Sequence, residues 1–290
     1  MLGIAFLFIA IQLWQDLSFL AGHLHGQLQW VGLSAAALAY GLSHAFRFVR
    51  FALLVGGTRL RPLISVYLLS TGASYAIPFK LGEIFRIYWI GRHTANLQRG
   101  LIVVWMERVM DASVIILLYL MMSAVRPDGL PVEVSGALIV IPFMIVLSVL
   151  MLKVLPENLG NLNLWILQAY RGKQATRRLR LLSKVALFAR ESTAVLANRT
   201  LSLLMLTLCI WGLEIYAIHL LLHAFPQASS TLSAFFGRMI SIVSREHTAV
   251  ATDAMTGFGA LQGVCLGVLA ILAAAAAALS LAASSAKARR

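Results

Sequence analysis

Long apolar runs constrain this chain more than any other feature. Two of them, 201–222 and 261–283, are long enough to cross the hydrocarbon core of a bilayer, which takes about 20 predominantly apolar residues. Of the 290 residues, 60% are hydrophobic and 12% are charged, and no soluble domain of this size could bury so much apolar surface. The sequence therefore predicts an all-α, polytopic membrane protein, folded as a single transmembrane domain over 1–290.

Shorter apolar runs supply the remaining predicted spans. Besides the two runs above, about six spanning helices in all are predicted, the others being 2–20, 30–56, 101–124 and 134–152. The first of these is predicted to be a retained span, because no Lys or Arg precedes it and no small-residue cleavage site follows it. Cys209 and Cys265 lie within apolar runs without metal-ligand spacing, so neither a metal site nor a cofactor is predicted.

A basic segment at 153–200 indicates the orientation of the chain. The formal net charge is +13, and nine of the 24 Lys and Arg residues fall in this segment. Short loops rich in Lys and Arg stay in the cytoplasm. The segment is therefore predicted to lie on the cytoplasmic side of the plasma (inner) membrane of a bacterial or archaeal cell. Its apolar residues recur at helical spacing opposite the basic ones, as in an amphipathic helix that binds anionic inner-leaflet lipids through 171–190. A solvated connector is the alternative, and neither interpretation requires nucleic acid.

Both flanks of 62–90 are predicted to be cytoplasmic. The preceding span ends in a basic cluster that also favours the cytoplasm, and its members are Arg47, Arg50, Arg59 and Arg61. On the other side, alternation from 153–200 places the basic loop 91–100 inside. A single crossing cannot start and finish on one side, and Pro78 ends a helix in the middle of the run. The sequence therefore predicts a re-entrant hairpin over 62–90, with its tip at 78–82 facing a cavity.

The C-terminal half of the chain has a comparable feature. Alternation places both ends of 231–260 outside, and this stretch carries the charged residues Arg238, Arg245, Glu246 and Asp253. We predict a second re-entrant hairpin here, because paired broken elements in two halves of a chain point to the binding site of a transporter. The basic C-terminus, like the N-terminus, is predicted to be cytoplasmic.

Charged residues at membrane depth are the strongest functional signal, since a lone charge at the bilayer centre costs about 2.5–3.5 kcal/mol on insertion scales. Glu83 and Arg86 share one face of the returning half-helix, and Glu107, Arg108 and Asp111 follow in the next span. One interpretation is structural. In it, Glu83–Arg86 and Arg108–Asp111 are ion pairs that hold the hairpin to its neighbour.

The other interpretation is a binding site for a phosphate-bearing lipid headgroup. A half-helix that begins near Gly82 aims its positive end and its unpaired N–H groups into the membrane, with Lys80 beside it. The planar fork of Arg86 also suits a phosphate. The residues predicted to bind the headgroup are Lys80, Gly82, Glu83, Arg86, Glu107, Arg108 and Asp111. Secondary candidates are Glu214, Arg245, Glu246 and Asp253. His44 and His219 lack partners at ligand spacing and are predicted to be packing residues.

Two charged motifs lie in this region, and they read Pro78-x-Lys80-x-Gly82-Glu83-x-x-Arg86-x-Tyr88 and, after a basic loop, Glu107-Arg108-x-x-Asp111. At this spacing they resemble the transmembrane region of the lysylphosphatidylglycerol synthases. The resemblance implies a helical bundle with two re-entrant elements and a role in moving or handling lipids. In the multiple-peptide-resistance factors this module is regarded as the flippase for aminoacylated phosphatidylglycerol. The chain departs from the family pattern in two ways. No soluble aminoacyl-transfer domain is expected within 290 residues, and the family's later Pro-Gly-Gly stretch is not evident.

Three functions are compatible with these observations. The first is a lipid translocase, or flippase, in which Lys80 and Arg86 contact phosphate while the acids tune the site or relay protons. The sequence has no P-loop, so transport would be passive, proton-coupled or driven by a partner. The second is an accessory protein of glycolipid, hopanoid or polysaccharide assembly, since stand-alone relatives in the family appear near such genes, with 153–200 docking a glycosyltransferase. An intramembrane enzyme with Glu107 or Asp111 as general base is ranked last, because no nucleophile–base pair or metal-ligand set lies near them. No catalytic residue is therefore predicted.

Overall fold

The structure of the chain is a computed structural model that describes residues 11, 13–18, 21, 27–56, 63–68, 70–71, 81–125, 142–143, 145–148, 150–224, 260–269 and 271–272. Its long helices are α1 (Gln27–Val55), α2 (Leu81–Thr94), α3 (Leu97–Val125), α4 (Leu155–Ala169), α5 (Lys173–Leu196) and α6 (Thr200–Ala224). A π-helical turn, Leu150–Val154, leads into α4, and shorter helical pieces lie at 63–68 and Ala260–Leu269. Within these ranges there is no strand, which confirms the all-α class for the described part of the chain.

Three helices among the described residues are long and apolar enough to cross a membrane, and they are Trp30–Val55, Ile145–Ala169 and Thr200–Leu221. The first and third coincide with predicted spans, as expected of a helical membrane protein. The second differs from the prediction, because the helix does not end near residue 152 but continues through the π-helical turn to the end of α4. The total of about six spans stays a prediction, since three of the predicted spans lie partly outside the described residues, namely 2–20, 134–152 and 261–283.

The predicted hairpin over 62–90 is described on both sides of its tip. Helical residues 63–68 form its first part and α2 forms its second, whereas 72–80 lie outside the described residues. Its re-entrant course therefore stays a prediction. The second predicted hairpin, 231–260, lies outside the described residues except for Ala260, and the same is true of both chain termini.

A tight turn joins α2 to α3 where the sequence predicted a basic loop over 91–100. Only Ala95 and Asn96 connect the two helices, and Ala95 adopts a φ of 54°. The helices approach so closely here that a Cβ on Gly100 would overlap the carbonyl oxygen of Ile87. Only glycine, which has no Cβ, allows this contact between the two backbones. The prediction of a loop was wrong, because most of 91–100 belongs to the two helices.

Two apolar cores follow one another along the bundle, and a layer of buried polar residues separates them. The first core joins parts of α1, α3, α6 and Ala260–Leu269, and its buried members include Leu33, Ala36, Tyr40, Val114, Ala217 and Leu221. The second joins α1, 63–68, α2, α3, α5 and α6, and its buried members include Phe51, Leu63, Ile90, Met106, Val195 and Leu203. Between them α1, α3 and α6 contribute the polar layer, whose buried members are Ser43, His44, Arg50, Glu107, Asp111, Thr207 and Glu214. Unpaired charges would be very costly in such a position, so the polar layer needs partners of its own.

Two arginines from other parts of the chain cap the C-terminal end of α1. Arg99 of α3 donates to the carbonyl oxygens of Leu54 and Val55, at 3.3 Å each, and Arg199 donates to that of Leu53 at 2.7 Å. The last carbonyl groups of a helix lack partners within the helix and carry the negative end of its dipole, so cations stabilise them. Both arginines, which the sequence analysis used only to set topology, therefore also hold three helix ends together.

Replacing Arg199 with Met should lower the free energy of unfolding by about 0.5–1 kcal/mol, because the substitution removes a cation from the C-terminus of α1. Thermal unfolding in detergent at low salt measures the loss, and high salt should diminish it. Arg199→Lys is the control, since it keeps the charge. If the Met variant unfolds at the same temperature as the unsubstituted protein at low salt, the cap contributes nothing to stability.

Candidate functional site

The polar layer and its edge hold eight charged residues that form four ion pairs. The pairs are Arg47 with Glu214, Arg50 with Asp111, Arg86 with Glu107, and Arg108 with Glu83. We call these eight residues the ion-pair cluster. Its members come from four helices, α1, α2, α3 and α6. Four cations face four anions, so the cluster is formally neutral.

The Arg50–Asp111 pair is the most deeply buried and the most completely hydrogen-bonded. Arg50 is only 1% exposed. Its two terminal nitrogens donate to the two carboxylate oxygens of Asp111, at 2.7 and 3.3 Å, and one of them also donates to Thr207 Oγ1 at 3.1 Å. The indole nitrogen of Trp211 donates to the same carboxylate at 3.3 Å. This forked contact links α1, α3 and α6 and satisfies most of the polar atoms that burial removes from water.

The Arg47–Glu214 pair lies next to it on the facing surfaces of α1 and α6. Arg47 Nη2 is 2.5 Å from Glu214 Oε1. The side chain of Arg47 is 23% exposed, compared with 2% for the side chain of Arg50. Arg47 is thus the cation of α1 that a molecule entering the polar layer could reach.

The α2–α3 pairs cross between the helices. Arg86 Nη2 is 2.7 Å from Glu107 Oε2, and Arg108 Nη2 is 2.6 Å from Glu83 Oε1. The structural interpretation of the sequence had Glu83–Arg86 and Arg108–Asp111 as ion pairs, and both pairings are wrong. The close approach of the two helices at their connecting turn brings the opposite helix within reach, and Asp111 already has a forked partner in Arg50.

A histidine–tyrosine contact ties the segment 63–68 to the cluster. His44 Nδ1 lies 3.1 Å from the hydroxyl of Tyr67, which also donates to the carbonyl oxygen of His44 at 3.3 Å. The hydroxyl of Tyr67 is within electrostatic range of Arg47, Arg86 and Glu107. Tyr67 therefore lies near both the Arg47–Glu214 pair and the Arg86–Glu107 pair. His44 packs as predicted, and it also belongs to the hydrogen-bonded part of the polar layer.

Most of the residues predicted to bind a headgroup meet in this one place. The predicted residues that belong to the ion-pair cluster are Glu83, Arg86, Glu107, Arg108, Asp111 and Glu214. Gly82 lies in the first turn of α2, where Glu83 supplies a carboxylate that already favours the positive end of that helix. The predicted residues outside the described part are Lys80, Arg245, Glu246 and Asp253.

The two arginines of α1 were not among the residues predicted for the site. Arg47 and Arg50 were expected in a basic cluster facing the cytoplasm, and the structure corrects this by pairing both with buried acids. Five further apolar residues, 51–55, follow them in the same helix. That run was the available signal, because arginines at the watery end of a span would not precede another turn of apolar helix.

The geometry of the cluster allows it to accept an anion by exchange of partners. Arg47 and Arg86 are each partly exposed, whereas the Nε atom of each is buried and, like that of Arg50, lacks a hydrogen-bond partner among the described residues. Arg86 also lies 5.7 Å from the ring centre of Phe51, which leaves one side of its guanidinium in apolar surroundings. An incoming phosphate could accept hydrogen bonds from such a group without leaving the cation unpaired.

Comparison with known proteins agrees with this architecture. A family model for the transmembrane region of lysylphosphatidylglycerol synthase matches residues 1–286. No curated protein and no solved structure matches the chain significantly. Together with the long apolar helices, the match identifies an integral membrane protein of a family associated with lipids and the cell envelope. The chain belongs to the lysylphosphatidylglycerol synthase transmembrane-region family.

Proposed function

We propose that the chain is a lipid translocase that admits a phosphate-bearing headgroup, of an amino- or glycolipid, to the polar layer between its two apolar cores. The observation that carries the proposal is the ion-pair cluster, in which eight charged residues from four helices meet inside a membrane protein. Charges buried at membrane depth are costly and are generally kept for function. The proposed setting is a bacterial or archaeal plasma membrane with both chain termini in the cytoplasm.

In this proposal Arg86 is the principal phosphate ligand. Its partner Glu107 is displaced when the phosphate arrives, so one anion replaces another and the cation is never left bare in a low-dielectric site. The released Glu107 then takes up either the amino group of the headgroup or a proton. Arg47 offers a second, similarly exposed guanidinium on α1. Arg50 keeps its forked contact with Asp111 throughout and holds the helices in place.

Leaflet exchange of fluorescent phospholipids in proteoliposomes tests the proposal. The unsubstituted protein should exchange lipids faster than empty vesicles do. Arg86→Met should slow exchange by about 10-fold to 100-fold, the equivalent of one lost charge-assisted hydrogen bond of about 1.5–3 kcal/mol. Glu107→Gln should have a comparable effect, because a neutral amide cannot take up either the amino group of the headgroup or a proton. Arg86→Lys keeps the charge but loses the planar fork, so its exchange rate should lie in between.

Arg92→Met is the matched control. Arg92 lies on the same helix but is exposed and belongs to none of the ion pairs in the described part of the chain, so its loss should leave the exchange rate unchanged. Thermal unfolding of each variant separates loss of transport from loss of folding. A folded protein that exchanges lipids no faster than empty vesicles, over a panel of phospholipids and with a proton gradient applied, would support the accessory role instead. Exchange that survives both Arg86 and Glu107 substitutions would show that the cluster is purely structural.

A further inference from the structure

We propose that the helical hairpin formed by α4 and α5 is a docking surface for the anionic inner leaflet of the membrane. In this arrangement apolar side chains of α4 insert among the lipids, while a basic groove on α5 holds their phosphate groups. The proposal concerns a surface separate from the ion-pair cluster and does not depend on lipid translocation.

The outer face of α4 is apolar and uncovered. Leu164, Trp165 and Leu167 are 60%, 56% and 56% exposed, and Ile166 is the single buried residue of this helix. Three large apolar side chains in four consecutive residues form a patch that water alone solvates poorly. Tryptophan and leucine are the residues with which amphipathic helices enter the interface of a bilayer.

The exposed face of α5 is basic and carries no neutralising acid. Between residues 171 and 190 the sequence has seven Lys and Arg residues and no Asp or Glu. Four of these basic residues line a groove of roughly 660 Å³ together with one glutamine and one leucine, and the groove residues are Gln174, Arg177, Arg178, Arg180, Leu181 and Lys184. This arrangement contrasts with the ion-pair cluster, in which every cation has an acidic partner. A surface of unbalanced positive charge attracts anionic lipids.

Aromatic contacts make the two faces continuous. The guanidinium of Arg178 lies 3.6 Å from the ring centre of Tyr170 in the turn between the helices, and the Tyr170 ring lies 6.0 Å from that of Trp165. Trp and Tyr beside Arg are typical of the boundary between headgroups and hydrocarbon. The basic groove and the apolar patch can therefore engage the same region of a bilayer.

The charge and packing of α5 argue against both a crossing by this helix and a purely solvated connector. α5 packs against α4, and the six basic residues of α5 could not enter the hydrocarbon core. α4 is the last part of the candidate span Ile145–Ala169, so in this proposal its exposed end lies where that span meets the inner leaflet. The C-terminal part of α5 packs against the bundle. The ring centres of Phe188 and Trp105 are 5.3 Å apart, and the residues buried there are Ala189, Ser192 and Val195. The part that remains exposed, including Leu181 at 64%, is the part that carries the groove.

Spin-label accessibility in lipid nanodiscs tests the surface. A nitroxide on Leu167→Cys, in a background of Cys209→Ser and Cys265→Ala, should gain exposure to oxygen and lose exposure to a water-soluble nickel chelate when phosphatidylglycerol is added to phosphatidylcholine. The expected change is at least a severalfold rise in the ratio of the two collision rates. The triple charge reversal Arg177→Glu, Arg180→Glu and Lys184→Glu should return the ratio to its value in phosphatidylcholine alone.

Two controls make the result specific to an anionic lipid surface. Arg92→Glu reverses an exposed charge on α2 and should leave the ratio unchanged. Inorganic phosphate added to phosphatidylcholine nanodiscs should not reproduce the effect of phosphatidylglycerol, which separates a lipid surface from a free anion. A label that stays equally accessible to water in both lipids overturns the proposal. Insertion that is equal in both lipids and indifferent to charge reversal also overturns it, as does a dipolar distance showing that a second copy covers α4.

Discussion

Replacing Arg50 with Met should lower the free energy of unfolding by about 3–5 kcal/mol, the cost typical of removing one partner from a buried ion pair. Asp111 would be left with the single donor of Trp211 in a site from which water is largely excluded. Thr207 Oγ1 would also lose the hydrogen bond that it accepts from the guanidinium of Arg50. Thermal or denaturant unfolding in detergent, followed by tryptophan fluorescence, measures the loss.

A matched variant and a double variant show whether the cost arises from burial. Arg108→Met removes the cation of a pair whose arginine side chain is 51% exposed, and it should cost less than about 1 kcal/mol. The double substitution Arg50→Met with Asp111→Leu should recover much of the stability, because an apolar pair replaces the ionic one without leaving a charge behind. A Met variant at position 50 that loses less than about 1 kcal/mol would contradict a structural role for the pair.

Gly100→Ala should be the most destabilising addition of a single methyl group where α2 and α3 meet. It should lower the free energy of unfolding by about 1–3 kcal/mol or more. The added Cβ would overlap the carbonyl oxygen of Ile87. This oxygen belongs to the backbone, so no change of side-chain rotamer can relieve the clash. α2 would have to move away from α3, and the Arg86–Glu107 and Glu83–Arg108 contacts would lengthen. The variant should therefore lose lipid exchange as well as thermal stability.

Gly160→Ala is the control for this substitution. Gly160 lies within α4, and a Cβ there meets nothing within 4 Å. Exchanging it for alanine should raise the stability by about 0.5–1 kcal/mol, since alanine loses less backbone entropy in a helix. Gly91→Ala offers a second test of the contact between α2 and α3, because its Cβ would lie 2.8 Å from Leu97 Cα. If Gly100→Ala behaves like Gly160→Ala, the close approach of α2 and α3 is not required for folding.

The charged residues of the site could be predicted from the sequence, whereas their partners could not. A charge within an apolar run is rare and costly, which is enough to single out Glu83, Arg86, Glu107, Asp111 and Glu214. Choosing the partner of each requires the distances between helices. Spacing along the chain favours Glu83 with Arg86, three residues apart. The tight turn between α2 and α3 instead brings each of them within ion-pair distance of a residue on the other helix.

The end of a span is equally hard to predict from charge alone. Lys153 signalled an end to the span 134–152, yet it lies in the π-helical turn that leads directly into α4. Arg50 likewise signalled the end of a span but lies inside one. Its partner Asp111 is 61 residues further along the chain, so the sequence does not reveal that the charge is paired. Rules based on local charge assume that a basic residue faces water. These rules fail where a basic residue pairs with a buried acid in the folded protein.

The doubly capped end of α1 limits how this protein can move. Arg99 and Arg199 fasten the start of α3 and the approach to α6 onto the last carbonyls of α1, and Gly56, with a φ of 70°, ends the helix at the same point. We therefore expect the relative movement of these helices to be smallest at this end of the bundle. If the proposed function is correct, a headgroup should enter the polar layer from the opposite end.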